Sequence, residues 1–227
     1  MAMQVTGQIK RVQNDPGYDY KWIHFGFMVG LNTMDFGFKR PAPVPGSSDI
    51  LFADVSKPSP GFQVSIVSDL RLGDQLSLRF LPGITFGSRT INFYEVSEDN
   101  ASILISEQTV ESNFLDFPLL LKYKSRRVNN YRPYLVGGLN MRYDMAARKD
   151  YDSDGPWVRL EPMDFFAEFG FGIDFFLQYF KFSPELKVSV GFRDVLVHDP
   201  AGGANYKFAN SINKLNSYVV MLCFYFE

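Results

Sequence analysis

Residues 164–180, DFFAEFGFGIDFFLQYF, alternate between two kinds of side chain. The odd positions Phe165, Ala167, Phe169, Phe171, Ile173, Phe175, Leu177 and Tyr179 are all apolar. The even positions hold Asp164, Glu168, Gly170, Gly172, Asp174 and Gln178, with Phe166 and Phe176 among them. A helix turns about 100° per residue and would gather Phe165, Phe169, Ile173, Phe176 and Phe180. It would then throw Phe171 and Phe175 in among Glu168, Asp174 and Gln178. It would also carry Gly170 and Gly172 inside the element, at about 1 kcal/mol each against Ala. A period of two sorts the residues far better, so the segment reads as a strand. Its apolar ladder needs either a protein core or lipid to cover it.

The same period recurs along the chain. In 21–32 it sets Ile23, Phe25, Phe27, Val29 and Leu31 against His24, Gly26, Met28, Gly30 and Asn32. In 61–70 it sets Phe62, Val64 and Ile66 against Gln63, Ser65, Val67 and Asp69. Strands follow at 75–86 (Leu76, Leu78 and Phe80 against Gln75, Ser77 and Arg79), at 113–124, at 131–144, at 164–180, at 183–195 and at 217–226. That makes eight strands, each long enough for the roughly 9–11 residues a tilted strand needs to cross a bilayer. The connections alternate in length. Short ones fall at RLGD, at SRRVNN and around 180–182; long ones fall at about 35–57, 88–112, 145–163 and 198–215. The long ones collect Pro, Asp, Ser and Gly, as in KRPAPVPGSSD and RKDYDSDGP, and read as irregular loops. Tight turns at one end and long loops at the other is the layout of an outer-membrane barrel. The expected fold is therefore all-β: an eight-stranded, antiparallel, up-and-down transmembrane barrel, with short periplasmic turns and long extracellular loops. Residues 1–20 read as a polar N-terminal arm and 21–227 as a single barrel domain.

Composition agrees with this fold. The chain carries 23 Phe and 12 Tyr against 2 Trp, yet its mean hydropathy is only −0.11. Half the strand positions of a membrane barrel face the lumen and can be polar, which reconciles the two. There is no apolar run of about 18 residues, so no membrane helix is expected. A soluble β-sandwich or lipocalin-like barrel would also alternate, but would charge its outer face more heavily. A net charge of −2 gives no pull towards nucleic acid. The single Cys223 excludes an intrachain disulfide, and its parity points it inward as a packed thiol. The opening MAMQVTGQIK has no apolar leader core, so a signal peptide is expected to be removed or absent from this sequence. The expected location is the outer membrane.

The stretch 112–143, SNFLDFPLLLKYKSRRVNNYRPYLVGGLNMRY, resembles the PorT family of the Bacteroidetes type IX secretion system, within the wider outer-membrane β-barrel family. The features that carry the likeness are FPLLLKYKSRR, with its prolyl strand start and basic turn, and NNYRPYLVGG. FGFMVGLN, PGFQVSIVSDLRLG and LSLRFLPGITFG agree in order and spacing. The resemblance implies protein transport: a role in exporting cargo across the outer membrane and, in some of these bacteria, in gliding motility. It implies other type IX components and outer-membrane lipid as partners, no enzymatic activity and no cofactor. It carries over no functional residues.

Candidate sites come from parity and clustering. The inward set includes Arg79, Asp116, Lys122, Arg142, Glu168, Asp174, Glu185, Lys187 and Arg193, with both signs on neighbouring strands. Buried charges need partners, so the simplest role is an ion-paired plug; the alternative is a proton or small-solute path. A porin is not expected, because aqueous channels need about 16–18 strands. Lys124, Arg126 and Arg127 form a basic cluster at a periplasmic turn, read as an ordinary solvated turn or as a docking point for an acidic partner. Asp150, Asp152, Asp154 and Glu161 match the spacing of a calcium loop, with Gly155 at the sixth position, but Pro156 at the seventh and the lack of flanking helices favour a solvated acidic loop. Calcium is the one candidate ion. His198 sits beside Asp199 and near Asp194, but no rule places a serine with it, so no catalytic residues are assigned. The alternative to an export component is a stand-alone barrel that binds a ligand or partner through its extracellular loops.

Overall fold

The computed structural model describes residues 14–39, 51–55, 59–96, 102–146, 161–193 and 214–227. Among the described residues, a 3₁₀ turn at Tyr18–Tyr20 precedes ten strands. They are β1 (Ile23–Lys39), β2 (Leu51–Val55), β3 (Ser59–Arg71), β4 (Leu76–Phe80), β5 (Gly83–Val96), β6 (Ser102–Lys124), β7 (Tyr131–Asp144), β8 (Met163–Phe176), β9 (Lys181–Gly191) and β10 (Lys214–Phe226). Every pairing is antiparallel. β1 pairs with β10, Phe27 opposite Phe226, and with β3, Phe27 opposite Ile66, so the sheet closes on itself. β4 and β5 form one stave in a single register, Phe80 opposite Ser68 and Gly83 opposite Ser65. The result is a closed eight-stranded antiparallel barrel. Closure removes the open edges that hydrocarbon could not solvate.

The stave expected at 75–86 is interrupted at Leu81 and Pro82. Proline has no N–H to give the ladder, so the strand bonds lapse there. The Pro82 carbonyl still accepts from the Ile66 N–H at 2.9 Å, and the register resumes unchanged. The opening segment behaves as its alternation requires. Phe169 and Phe171 are 63% and 53% exposed on the outer wall, while Asp164, Glu168 and Asp174 are buried inside. Outer residues on the other staves, among them Phe25, Leu31, Ile66, Leu119, Leu139, Leu186 and Leu222, are likewise exposed and apolar. A continuous apolar belt of this kind matches the lipid-facing band of a membrane barrel. Gly170 and Gly172 fall on the inner face because the lumen is crowded there. A Cβ on Gly172 would lie 2.5 Å from the Tyr134 hydroxyl, and one on Gly170 would lie 2.9 Å from Val136 Cγ2.

The ends differ from expectation in two ways. First, the third short turn spans 177–180 rather than 180–182: Leu177 N–H donates to the Phe180 carbonyl at 3.0 Å, and Lys181 and Phe182 already pair with Phe176 and Phe175. The 125–130 turn is closed by Val128 and Tyr131, with Asn129 in the left-handed region at φ 54°, which Asn tolerates better than most residues. Second, the connections at 35–57 and 88–112 are not simply irregular. β1 continues to Lys39, β2 occupies 51–55, and β5 and β6 run on together as far as Val96 opposite Ser102. TINFYEV and SILISEQTV are rich in β-branched and aromatic residues, which favour extended backbone. β6 has 23 residues; at about 3.3 Å each, that is roughly 75 Å of strand, far more than a bilayer needs. The surplus extends the β5–β6 pair beyond bilayer length as a β-wall on the long-loop side. A bulge between Phe93 and Tyr94 interrupts its register.

Candidate functional site

The barrel interior and its short-turn mouth hold the chemistry. Among the described residues, seven cations (Arg79, Lys122, Lys124, Arg132, Arg142, Lys181, Lys187) and seven carboxylates (Asp69, Asp116, Asp144, Asp164, Glu168, Asp174, Glu185) are buried. The Glu227 side chain, fully covered, adds an eighth carboxylate. Such a set is close to neutral, as buried charges must be.

Nearest the long-loop side, Arg142 donates from Nε to Asp116 Oδ1 at 2.6 Å and from Nη2 to Glu168 Oε1 at 3.3 Å. Lys187 Nζ lies 2.9 Å from Glu168 Oε2. Asn140 Nδ2 donates to both carboxylates, at 3.2 Å to Asp116 and 2.7 Å to Glu168. Thr85 Oγ1 also donates to Asp116. Asp116 stands directly opposite Arg142 in the β6–β7 register, so the strands themselves bring this pair together.

The middle layer centres on Asp174. It accepts from Lys122 Nζ at 2.7 Å, Ser183 Oγ at 2.8 Å and Arg132 Nη2 at 3.3 Å. The Lys122 ammonium sits 3.7 Å from the centre of the Tyr134 ring. Beside this group, Arg79 reaches Asp69 at 3.0 Å, Glu227 at 3.2 Å and Glu185 at 3.5 Å, and lies over the Tyr225 ring at 4.6 Å. Tyr225 Oη donates to Glu185 at 2.8 Å. On the β1, β3 and β10 side Met28, Met34, Val67, Val219, Met221 and Cys223 form an apolar cluster beside the buried polar Asn32, Gln63, Ser65 and Asp69. Cys223 is thus buried and inward, as its parity indicates.

The short-turn mouth is closed from below by the end of the N-terminal arm. Asn14 Nδ2 donates to the Phe176 carbonyl at 3.0 Å, and Arg127 Nη2 donates to the Asn14 carbonyl. Tyr18 is buried, stacks on the His24 ring at 3.9 Å, and donates to Glu227 Oε2 at 2.8 Å. Lys181 Nζ completes this knot, at 2.6 Å from Tyr18 Oη and 2.7 Å from Glu227 Oε2. Burial, then the adjacent Glu227 charge, push the Tyr18 phenol far above its usual range, so it stays a donor. Burial works to raise the Glu227 carboxyl as well, but Lys181 and Arg79 outweigh it and hold the group below its ordinary value. Asp19 links the arm to the wall through Arg132 at 2.7 Å and Arg127 at 3.6 Å.

Of the nine residues expected inside, eight are there with exposures of 0–1% and partners of opposite sign. Arg193 is not. β9 ends at Gly191, so parity no longer governs Arg193, whose half-exposed side chain pairs with Glu161 at 2.7 Å. Glu161 is thereby engaged with Arg193, while Asp150, Asp152 and Asp154, like His198, Asp194 and Asp199, lie outside the described residues. No group of three metal-binding side chains occurs among the described residues. The basic turn does not act as one unit: Lys124 is turned into the mouth, Arg127 holds the arm, and Arg126 is exposed. Arg132, Asp69, Lys181, Asn140 and Glu227 complete the network without having been singled out. Parity alone could have found Arg132 and Asn140; Lys181 needed the true turn position, and Tyr18 and Asp19 needed the docked arm.

A family model described as "Outer membrane protein beta-barrel domain" matches residues 11–197. No curated protein matches the sequence. Among solved structures, the chain is similar to the outer membrane protein OprG from Pseudomonas aeruginosa, at 13% identity over 89% of this chain and 94% of that one, TM-score 0.45. It is similar to Ail, the attachment invasion locus protein of Yersinia pestis, in complex with the heparin analogue sucrose octasulfate, at 12% identity over 89% and 97%, TM-score 0.39. It is also similar to Neisserial surface protein A, at 10% identity over 90% and 98%, TM-score 0.43.

Proposed function

We infer a role from the premise that the chain belongs to the outer membrane protein beta-barrel family and resides in the outer membrane. Within that family, we propose that it is a non-enzymatic component of the type IX protein secretion machinery, related to PorT, and works through contacts with partner proteins. The observation that carries the reading is the run FPLLLKYKSRRVNNYRPY, which resembles that family and forms the β6–β7 hairpin with its basic turn. The lumen supports a scaffold rather than a conduit. Eight strands leave an interior that side chains fill, and here Arg79, Lys122 and Arg142 are buried among carboxylates. The interaction surfaces are then the basic turn below and the β-wall above.

The test is deletion of the gene in its native host, with complementation, followed by measurement of type IX cargo. Cargo retained in the periplasm and restored by the intact gene supports the role. Normal secretion sinks it. A second reading, ligand or partner binding through the extracellular side, is favoured by the β5–β6 wall that extends well beyond bilayer length. It predicts normal secretion, and loss of binding when residues 88–112 are shortened.

A further inference from the structure

A cavity of about 690 Å³ opens at the short-turn mouth, between the arm, the β3–β4 turn and the β6–β7 turn. Its volume is in the range of small-molecule sites. Five cations line it (Arg71, Lys124, Arg126, Arg127, Arg132) against two carboxylates, Asp19 and Asp74. Both carboxylates are already engaged: Asp74 with Arg71 at 2.5 Å, and Asp19 with Arg132 at 2.7 Å. Arg127 is used in holding the arm. That leaves Lys124 and Arg126. Lys124 is only 8% exposed, and its ammonium makes no hydrogen bond or ion pair with any described residue. Its nearest bonding is through the backbone, Lys124 N–H to the Gln75 carbonyl at 2.7 Å. The stem of Lys124 is covered while its ammonium opens onto the cavity, where it can meet an anion. Arg126, exposed at the rim, likewise has no side-chain partner among the described residues.

We propose that this mouth cavity binds a multiply charged anion bearing phosphate or carboxylate groups, with the Lys124 ammonium as its central contact and Arg126 as a rim contact. The site stands independently of the export role. Two sources offer the same chemistry: a soluble periplasmic anion and the phosphate of a lipid headgroup. Lys124 belongs to the inward face, with its neighbour Tyr123 facing outward at 54% exposure, so the cavity is approached from the aqueous mouth rather than from lipid.

The probe is inorganic pyrophosphate, titrated calorimetrically into the full chain in an uncharged detergent. The expected result is saturable one-to-one binding, weakened tenfold or more in Lys124→Gln, largely restored in Lys124→Arg, and unchanged within twofold in Arg193→Gln. Folding of each variant is checked by its gel shift without boiling. Should Lys124→Gln fail to fold, Arg126→Gln, at an exposed position, must still weaken binding threefold or more. Absence of saturation, equal affinity in the folded variants, or an equal loss in Arg193→Gln overturns the proposal, the last by showing diffuse charge attraction. The titration repeated in phosphatidylcholine and phosphatidylglycerol nanodiscs then assigns the source. Competition by phosphatidylglycerol points to a lipid phosphate; its absence points to a soluble anion.

Discussion

Replacing Asp174 with Asn should destabilise the barrel by about 3–5 kcal/mol, the range for breaking a buried pair by removing one partner. The change keeps side-chain volume and removes only the charge. Asp174 lies 2.7 Å from Lys122 Nζ and 3.3 Å from Arg132 Nη2, with both cations buried. At an effective dielectric of about 20, the closer pair alone amounts to roughly 6 kcal/mol of attraction, part of which desolvation offsets. Arg132 keeps Asp19 in the variant, but Lys122 keeps only the Tyr134 ring. Most of the loss therefore comes from the stranded Lys122, and Asp174→Asn combined with Lys122→Met should recover at least half of it. The measurement is urea unfolding of the protein folded into lipid vesicles, followed by tryptophan fluorescence. Glu161→Gln serves as the surface control, since its pair with the half-exposed Arg193 should contribute no more than about 1 kcal/mol. If Asp174→Asn costs less than about 1 kcal/mol, or no more than the control, the lumen is hydrated and screened, and the account of an ion-paired plug fails.

Gly172→Leu should cost about 1–3 kcal/mol or block folding, because its Cβ already meets the Tyr134 hydroxyl at 2.5 Å; the fraction shifting on unboiled gels measures it. Phe171→Arg places a charge on the lipid face and should cost about 2–4 kcal/mol if the position lies near the midplane, read from the same vesicle unfolding. Arg127→Ala removes the donors to the Asn14 and Asp15 carbonyls and loosens the start of the arm, which Tyr18 and Asp19 still anchor, so limited proteolysis should cut near 14–17 several-fold faster while the barrel stays intact. Glu227 is a carboxyl held below its ordinary value of 4.5 by Lys181 and Arg79 against the opposing effect of burial. Its contribution to stability is therefore present above pH 4.5 and lost as pH falls through the lowered folded value. Glu227→Gln should flatten the acid limb of the unfolding midpoint plotted against pH, and an unaltered acid limb would contradict this.

Within the strands, parity decided most of the lumen. Arg79, Asp116, Lys122, Arg142, Glu168, Asp174, Glu185 and Lys187 share the inner face because each lies an even number of residues from its inward neighbours on the same strand. Parity ceases to set side-chain direction where a strand stops. Arg193 keeps the right parity on paper, but β9 ends at Gly191 and does not turn it inward. At β5 and β6 the strands run past bilayer length, because the β-branched run 102–110 favours extended backbone whether or not lipid covers it.

What the order of residues determined, then, was the class of structure and which side of each strand meets lipid, since both follow from a local period of two. What it left open was partnership. Lys122 and Asp174 lie 52 residues apart on β6 and β8, with β7 between them, and meet only because the closed wall curves them towards one another. Tyr18, Lys181 and Glu227 meet from the arm, the start of one strand and the end of another. Contacts of this kind depend on register, curvature and closure, properties of the whole sheet, and no local pattern encodes them.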